Sequence, residues 1–235
     1  MLTLVFDLDG TLVDSAPDLI DTLNFALARH NLPVVRFDAA RPLIGGGARG
    51  MIERALAAEG RDCSPAGVDE LYADFLAHYA EHIADRSRPF PGVAAVLNRL
   101  AASGHRLAVC TNKLEGLAAR LLAALKLSGH FAAICGQGTF GIQKPNPQMF
   151  RATVTRAGGE PSRAVMIGDS PTDVRTARAA GAPIIAVDFG YSDVPIASLE
   201  PDRLISSFAQ LPAAIDDLGF FDNAMDDQGF IGQKG

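Results

Sequence analysis

Apolar positions along this chain follow two different periods. Short, mainly apolar runs occur at "LTLVFDL" (2–8), "HRLAVCTN" (105–112), "FAAICGQ" (131–137), "AVMIGD" (164–169) and "APIIAVD" (182–188). Runs this short, bounded by polar residues and turn formers, read as buried strands. Between them, helical spacing predicts helices over about 93–103, 114–125, 147–157 and 172–180. Gly104, Gly129, Gly158 and Gly181 stand where helix C-terminal glycines belong. This alternation predicts an α/β fold: a doubly wound, Rossmann-like parallel sheet with helices on both faces. Ligands of such sheets bind beyond the carboxyl ends of the strands. Three of the runs end there in polar clusters, at Asp7 to Asp9, at Thr111 and Asn112, and at Gly168 to Ser170.

From residue 16 to 88 the alternation stops. "PDLIDTLNFALARHNL" has Pro17 at an expected first helical position, with Leu19, Leu23, Ala26 and Leu27 on one face. "VDELYADFLAHYAEHI" sets Val68, Leu71, Tyr72, Phe75, Tyr79 and Ile83 at helical spacing, a stripe read as core rather than as a binding face. No strand is evident. The expected organisation is a main domain from 1–15 and 89–219, with residues 16–88 forming a helical cap. "SRPFPGV" returns the chain to the main domain. The segment 220–235, "FFDNAMDDQGFIGQKG", lacks periodicity and is expected to be a flexible tail.

Composition narrows the class. The chain has 235 residues, 48% hydrophobic and 20% charged, enough for a sizeable core. Its formal net charge of -6, with no Lys/Arg block, argues against nucleic acid as a partner. No stretch approaches the roughly 20 apolar residues of a membrane span, and the first residues lack the basic, apolar pattern of a signal peptide. Three cysteines, Cys63, Cys110 and Cys135, have no motif spacing; the last two end apolar runs and read as buried thiols. A cytoplasmic, reducing compartment follows, with a monomer or homodimer expected.

Asp7 and Asp9 raise the chemical question. In an extended segment alternate side chains share a face, so the two carboxylates project together and Leu8 points away. Like charges that close disfavour each other's ionisation unless a cation or shared proton intervenes. Folding alone gives no reason to build this. Gly10 permits a sharp exit, and Thr11 can hydrogen-bond near the turn.

"FDLDGTLVDS" resembles the first motif of the haloacid dehalogenase superfamily. "VCTN" with Thr111, "KPNP" with Lys144, and "MIGDSPTD" with Asp169 and Asp173 resemble its remaining motifs, in the family's order across about 170 residues. The resemblance implies that Asp7 attacks phosphorus to form an aspartyl-phosphate, while Asp9 serves as acid and then base. It implies Mg²⁺ held by Asp7, the Asp9 carbonyl and Asp169. Thr111, Asn112 and Lys144 would bind the phosphoryl group, and Asp173 would orient Lys144 or a metal-bound water. Members resembling haloalkanoate dehalogenases or phosphonate hydrolases generally lack an acid at the Asp9 position. Asp9 therefore favours phosphate-ester hydrolysis of a small phosphorylated metabolite, or a phosphosugar mutase.

"PLIGGGARG" (42–50) places three consecutive glycines between helical patterns. Their conformational cost implies a sharp turn or a close backbone approach. The resemblance implies a specificity loop of Gly45, Gly46, Gly47 and Arg49. With "DSAPDL", "PFPGV", "TNK" and "FGY", the chain is most similar to bacterial members that hydrolyse 2-phosphoglycolate. Other phosphatases of the family, for sugar phosphates or pyrophosphate, share many of these features, and a non-enzymatic phosphoryl-binding module is a distant alternative. Asp14 and Ser15 read mainly as turn residues, Lys113 as solvated, and His30, His78 and His82 as surface residues.

Overall fold

The computed structural model describes residues 1–61 and 64–220. Cys63 and the tail reading from residue 221 onward lie outside them. The five expected strands form as β1 (Thr3–Phe6), β4 (Arg106–Leu114), β5 (Ala133–Gln137), β6 (Ala164–Gly168) and β7 (Ile184–Val187). With β8 (Arg203–Ile205) they make a six-stranded parallel sheet in the order β5-β4-β1-β6-β7-β8. The period-two pleat sorts the strand residues between two cores. Leu4, Phe6, Val109 and Ile167 face one side, and Val5, Ala108, Cys110 and Met166 face the other. The first side is covered by α5 (Val93–Ala102), α6 (Glu115–Ala124) and α9 (Leu211–Asp216), the second by α7 (Pro147–Arg156) and α8 (Pro171–Ala180). Burial on both faces is why these strands read as apolar runs rather than as alternating patterns. Strand β8 was not expected; it has three residues, two of them exposed, too few to show a period.

Gly104, Gly158 and Gly181 follow their helices with the left-handed φ values a C-terminal glycine supplies. Gly129 does not. Helix α6 stops earlier, Lys126 takes the positive φ, and the Leu127 N–H returns to the Leu122 carbonyl at 2.8 Å with the Leu127 side chain buried. Both expected thiols, Cys110 and Cys135, are free and buried.

Between β1 and β4 lie α1 (Ala16–Arg29), α2 (Phe37–Ala40), α3 (Gly47–Ala58) and α4 (Pro65–Glu81). The faces read from helical spacing are the buried ones. Leu19, Leu23 and Leu27 share a cluster with Val68, Leu71, Phe75 and Tyr79, and that cluster is continuous with one face of the sheet. The exit and return of this segment are joined by a short antiparallel pair, β2 (Val13–Asp14) with β3 (Arg88–Pro89). Asp18, buried in the first turn of α1, reinforces the junction. It accepts from the Arg86 N–H and from the Ser87 N–H (2.8 Å) and hydroxyl (2.6 Å). His82 is exposed as expected, whereas His30 and His78 are half-buried; His30 meets Asp74, and His78 stacks between Phe25 and His82. Among the described residues no helix is long and apolar enough to cross a membrane.

Candidate active site

Strand β1 is buried along its whole length, and the first charged residue after it, Asp7, emerges at the carboxyl end of the sheet. The sheet order reverses about β1, with β4 on one side and β6 on the other. Such a reversal opens a crevice at the strand ends. Asp7 is fixed there by its N–H to the Ile167 carbonyl (2.9 Å), and its carboxylate accepts from the Leu8 N–H (2.7 Å). Asp169 follows β6 at the same end. Its carboxylate accepts from the Thr11 hydroxyl (2.7 Å) and the Tyr191 N–H (2.8 Å). Gly10 and Gly190 crowd it so closely that a Cβ at either would lie 2.4 or 2.2 Å from an Asp169 atom. Gly10 also takes φ +85°, which turns the chain after the two acids.

Lys144 binds these elements together. Its ammonium lies 2.9 Å from Asp7 and 2.6 Å from Asp173, with Lys144 and Asp173 both buried. Asp173 is oriented by a capping box at the start of α8, where it exchanges hydrogen bonds with Ser170. Asn112 clamps the Lys144 backbone from β4: its amide donates to the Lys144 carbonyl (3.0 Å) and accepts from the Lys144 N–H (2.9 Å). The amide expected to bind phosphate thus also holds the Lys144 backbone, and it lines the cavity. Thr111 is buried at the cavity wall.

The electrostatics follow from this crowding. Burial, with repulsion from Asp173, raises the pKa of Asp7 against the opposing pull of Lys144. Burial, then Asp7 and Asp173, raise that of Asp169. Burial would neutralise Lys144, but Asp173 and Asp7 outweigh it and its pKa rises. Carboxylate oxygens of Asp7, Asp169 and Asp173 lie within 4.8 Å of one another. Two buried acids and the half-buried Asp7 facing one ammonium carry an excess of negative charge. An all-oxygen donor set is the kind that suits a hard divalent cation such as Mg²⁺. The residues present fit that ion.

Asp9 stands apart from this cluster. Its carboxylate accepts from the Ser15 hydroxyl (2.6 Å), and Lys113 donates to both of its oxygens at 2.9 Å. Lys113 corrects the sequence reading: it is buried, not solvated. Burial alone would lower its pKa, but Asp9 and the neighbouring Tyr79 together raise it. A lysine beside a loop looks the same in sequence whether solvated or covered, so no local signal marked it. Ser15, read as a turn residue, orients Asp9. Asp14 accepts from the Tyr191 hydroxyl (2.6 Å). Tyr191 thus ties Asp169 to the exit of the helical segment, from a position 22 residues away that no periodicity indicates.

A cavity of about 440 Å³ opens over these groups. Asp7, Asp9, Thr111, Lys113, Lys144 and Asp169 line its floor, and Gly45, Gly46, Gly47, Met51, Phe75 and Tyr79 line the side made by the helical segment. Arg49 is not among the residues lining it. It points outward to Asp69 and Glu53, over the Tyr72 ring. Arg54, one turn further along α3, meets the loop instead, donating to the carbonyls of Leu43 and Gly45.

Comparison with known proteins gives a consistent picture. The family model described as haloacid dehalogenase-like hydrolase matches residues 1–181. A phosphoglycolate phosphatase of Mesorhizobium japonicum is 49% identical over 208 residues, covering 88% of this chain and 92% of that one. One of Agrobacterium fabrum is 46% identical over 211 residues, covering 90% and 91%. The crystal structure of a protein described as a predicted phosphoglycolate phosphatase from Haemophilus somnus superposes with a TM-score of 0.84 at 30% identity, covering 92% of this chain and 98% of that one.

Proposed function

The chain belongs to the haloacid dehalogenase-like hydrolases and is a phosphatase, and on that premise we propose that it hydrolyses 2-phosphoglycolate to glycolate and phosphate through an aspartyl-phosphate on Asp7. The observation that carries this reading is the Asp7 carboxylate, half-buried at the cavity floor and paired at 2.9 Å with the buried Lys144. Asp7 attacks phosphorus as the bond to the leaving oxygen breaks. Lys144 and Thr111 carry the phosphoryl oxygens, where negative charge is spread in a loose transition state. Asp9, oriented by Lys113 and Ser15, hands a proton to the leaving alkoxide and later takes one from the water that cleaves the acyl phosphate. Asp7, the Asp9 carbonyl and Asp169 would hold Mg²⁺, which supplies the charge that lets these acids and the phosphate share one site.

A screen of phosphate esters with and without Mg²⁺ tests the reading. The highest kcat/KM is expected for 2-phosphoglycolate, with no turnover in excess chelator and poor support by Ca²⁺. Without any substrate, Mg²⁺ at about 100 times its Kd should stabilise the fold by about 2.7 kcal/mol, read as a rise in Tm. Full activity in chelator, with no Mg²⁺-dependent change in Tm, would reject the metal assignment. Preference for a sugar phosphate is the second reading, favoured by a cavity of about 440 Å³, more than a two-carbon ester fills.

We further infer that residues 16–88 act as a cap whose glycine loop closes on the core. Gly47 supports this: at φ +84° a Cβ would meet the Asn112 carbonyl at 3.1 Å, whereas one on Gly45 at φ +117° would meet nothing within 4 Å. Both Gly45→Ala and Gly47→Ala incur the left-handed penalty of about 1–2 kcal/mol. Only Gly47→Ala also pushes the loop off β4. Its kcat/KM should fall on the order of 10–100-fold, clearly more than that of Gly45→Ala; equal losses would make the loop a simple turn.

A further inference from the structure

We propose that the Tyr79 hydroxyl and the Lys113 ammonium form a second anion subsite in the cavity, which takes the carboxylate of a short phosphorylated hydroxy acid. The inference rests on the phosphatase reading above and adds the group that selects the substrate. Tyr79 lies in the last turn of α4, 1% exposed, and lines the cavity together with Lys113 and Asp9. Its hydroxyl has no hydrogen-bond partner, alone in this among the buried side-chain nitrogens and oxygens of the described residues. A buried hydroxyl left unpaired is destabilising, so native structures rarely keep one without a reason.

Lys113 supplies the charge. The residue is 8% exposed, and its ammonium sits over the Tyr79 ring, 4.6 Å from the centroid, near enough to the hydroxyl for each to shift the other's pKa although no hydrogen bond of normal geometry joins them. An ammonium has three donors and no acceptor. Two go to the oxygens of Asp9, which leaves one. The Tyr79 hydroxyl and this third N–H therefore stand side by side at the cavity, neither with a well-formed bond to another group of the protein. A carboxylate only accepts, and its two oxygens can take one donor each. A sugar hydroxyl brings a donor of its own and matches the pair less well. The location also bears on the length of the ligand. Asp9 faces the leaving oxygen, and Lys113 is bonded to Asp9. The subsite therefore adjoins the proposed leaving-group position, which suits a carboxylate on a short ligand. With the aromatic ring and apolar neighbours excluding water, charge-assisted bonds here are stronger than at the surface.

The test compares kcat/KM for 2-phosphoglycolate and for 2-hydroxyethyl phosphate, an ester of equal length with a neutral end, in the Mg²⁺-loaded wild-type protein, Tyr79→Phe and Lys113→Met. The wild type should prefer the carboxylate ester. Tyr79→Phe should lose about tenfold or more of that preference, mainly through KM, because only a bond to a charged group is removed. Lys113→Met should lose most of it, over and above any common loss from releasing Asp9. A stability measurement separates recognition from structure. Removing an unpaired hydroxyl should leave the substrate-free Tm of Tyr79→Phe equal to the wild type or a few degrees higher. A wild type indifferent to the carboxylate overturns the inference while leaving the phosphatase reading intact. So does a Tyr79→Phe protein that loses both esters equally with a lowered Tm. A wild type that hydrolyses no phosphate ester in Mg²⁺ overturns the phosphatase reading and the inference with it.

Discussion

Asp7→Asn should lose at least about 10⁴-fold in kcat while remaining folded, the scale on which removing an enzyme's nucleophile acts. An amide is a poor nucleophile, and no other carboxylate replaces it: Asp9 is held by Ser15 and Lys113, and Asp169 by Thr11 and Tyr191. The fold should not suffer. The amide oxygen can keep the bonds from Leu8 and Lys144, and a buried charge is removed. The sign of the stability effect follows from linkage. Burial raises the folded-state pKa of Asp7 above its unfolded value, so its contribution to stability is present at acid pH and lost as pH rises through the folded pKa. In chelator, Asp7→Asn should therefore gain on the wild type in Tm as pH rises from acid towards neutral. Phosphate release at near wild-type rate would remove the covalent mechanism.

Lys144→Met should produce the largest loss of stability of any single substitution at this site. The methionine keeps most of the apolar stem but leaves the buried Asp169 and Asp173 and the half-buried Asp7 with no side-chain cation bonded to them among the described residues. Breaking a buried pair by removing one partner costs about 3–5 kcal/mol, or roughly 6–20 °C in Tm for a chain of this size. Lys144 has its folded-state pKa raised, so its contribution is complete at neutral pH and fades only at strongly alkaline pH. The gap from wild type should narrow in acid, where the carboxylates take up protons, and on adding Mg²⁺. Turnover should fall at least about 10²–10³-fold through loss of a phosphoryl-oxygen donor. A Tm within 2 °C of wild type in chelator at neutral pH would show, on the same scaling, that the triad is not held by this charge.

Much of the fold was legible because a doubly covered parallel sheet writes itself as apolar runs, and Leu4 to Phe6, Val109 to Cys110 and Val165 to Ile167 have no polar face to disguise them. The acids at the ends of those runs were legible for the same reason: Asp7 and Asp169 are the first charged residues after a buried strand. Edge strand β8 was not, since a short, half-exposed segment has no periodicity. The end of α6 was read to within a residue, but Gly129 was wrongly taken as its terminal glycine, because Lys126, a residue with no special turn preference, takes the left-handed position three residues before it.

What the sequence determined by itself is therefore the local order: which runs become strands, where the helices lie, and which carboxylates stand at the strand ends. Those properties depend on neighbours in the chain and on the periods of strand and helix. Only the tertiary structure decided which polar side chains meet. Asn112 reaches Lys144 across 32 residues, and Lys113 reaches Asp9 across 104. Tyr191 reaches Asp14 across 177 residues. Arg49 and Arg54 share one helix, yet packing against Asp69 turns the first away while the second meets the glycine loop. Burial decides whether a lysine is a solvated ornament or, like Lys113, a cation bonded to both oxygens of Asp9. Burial belongs to the assembled layers, because α4 must fold over the sheet before Tyr79 can cover Lys113.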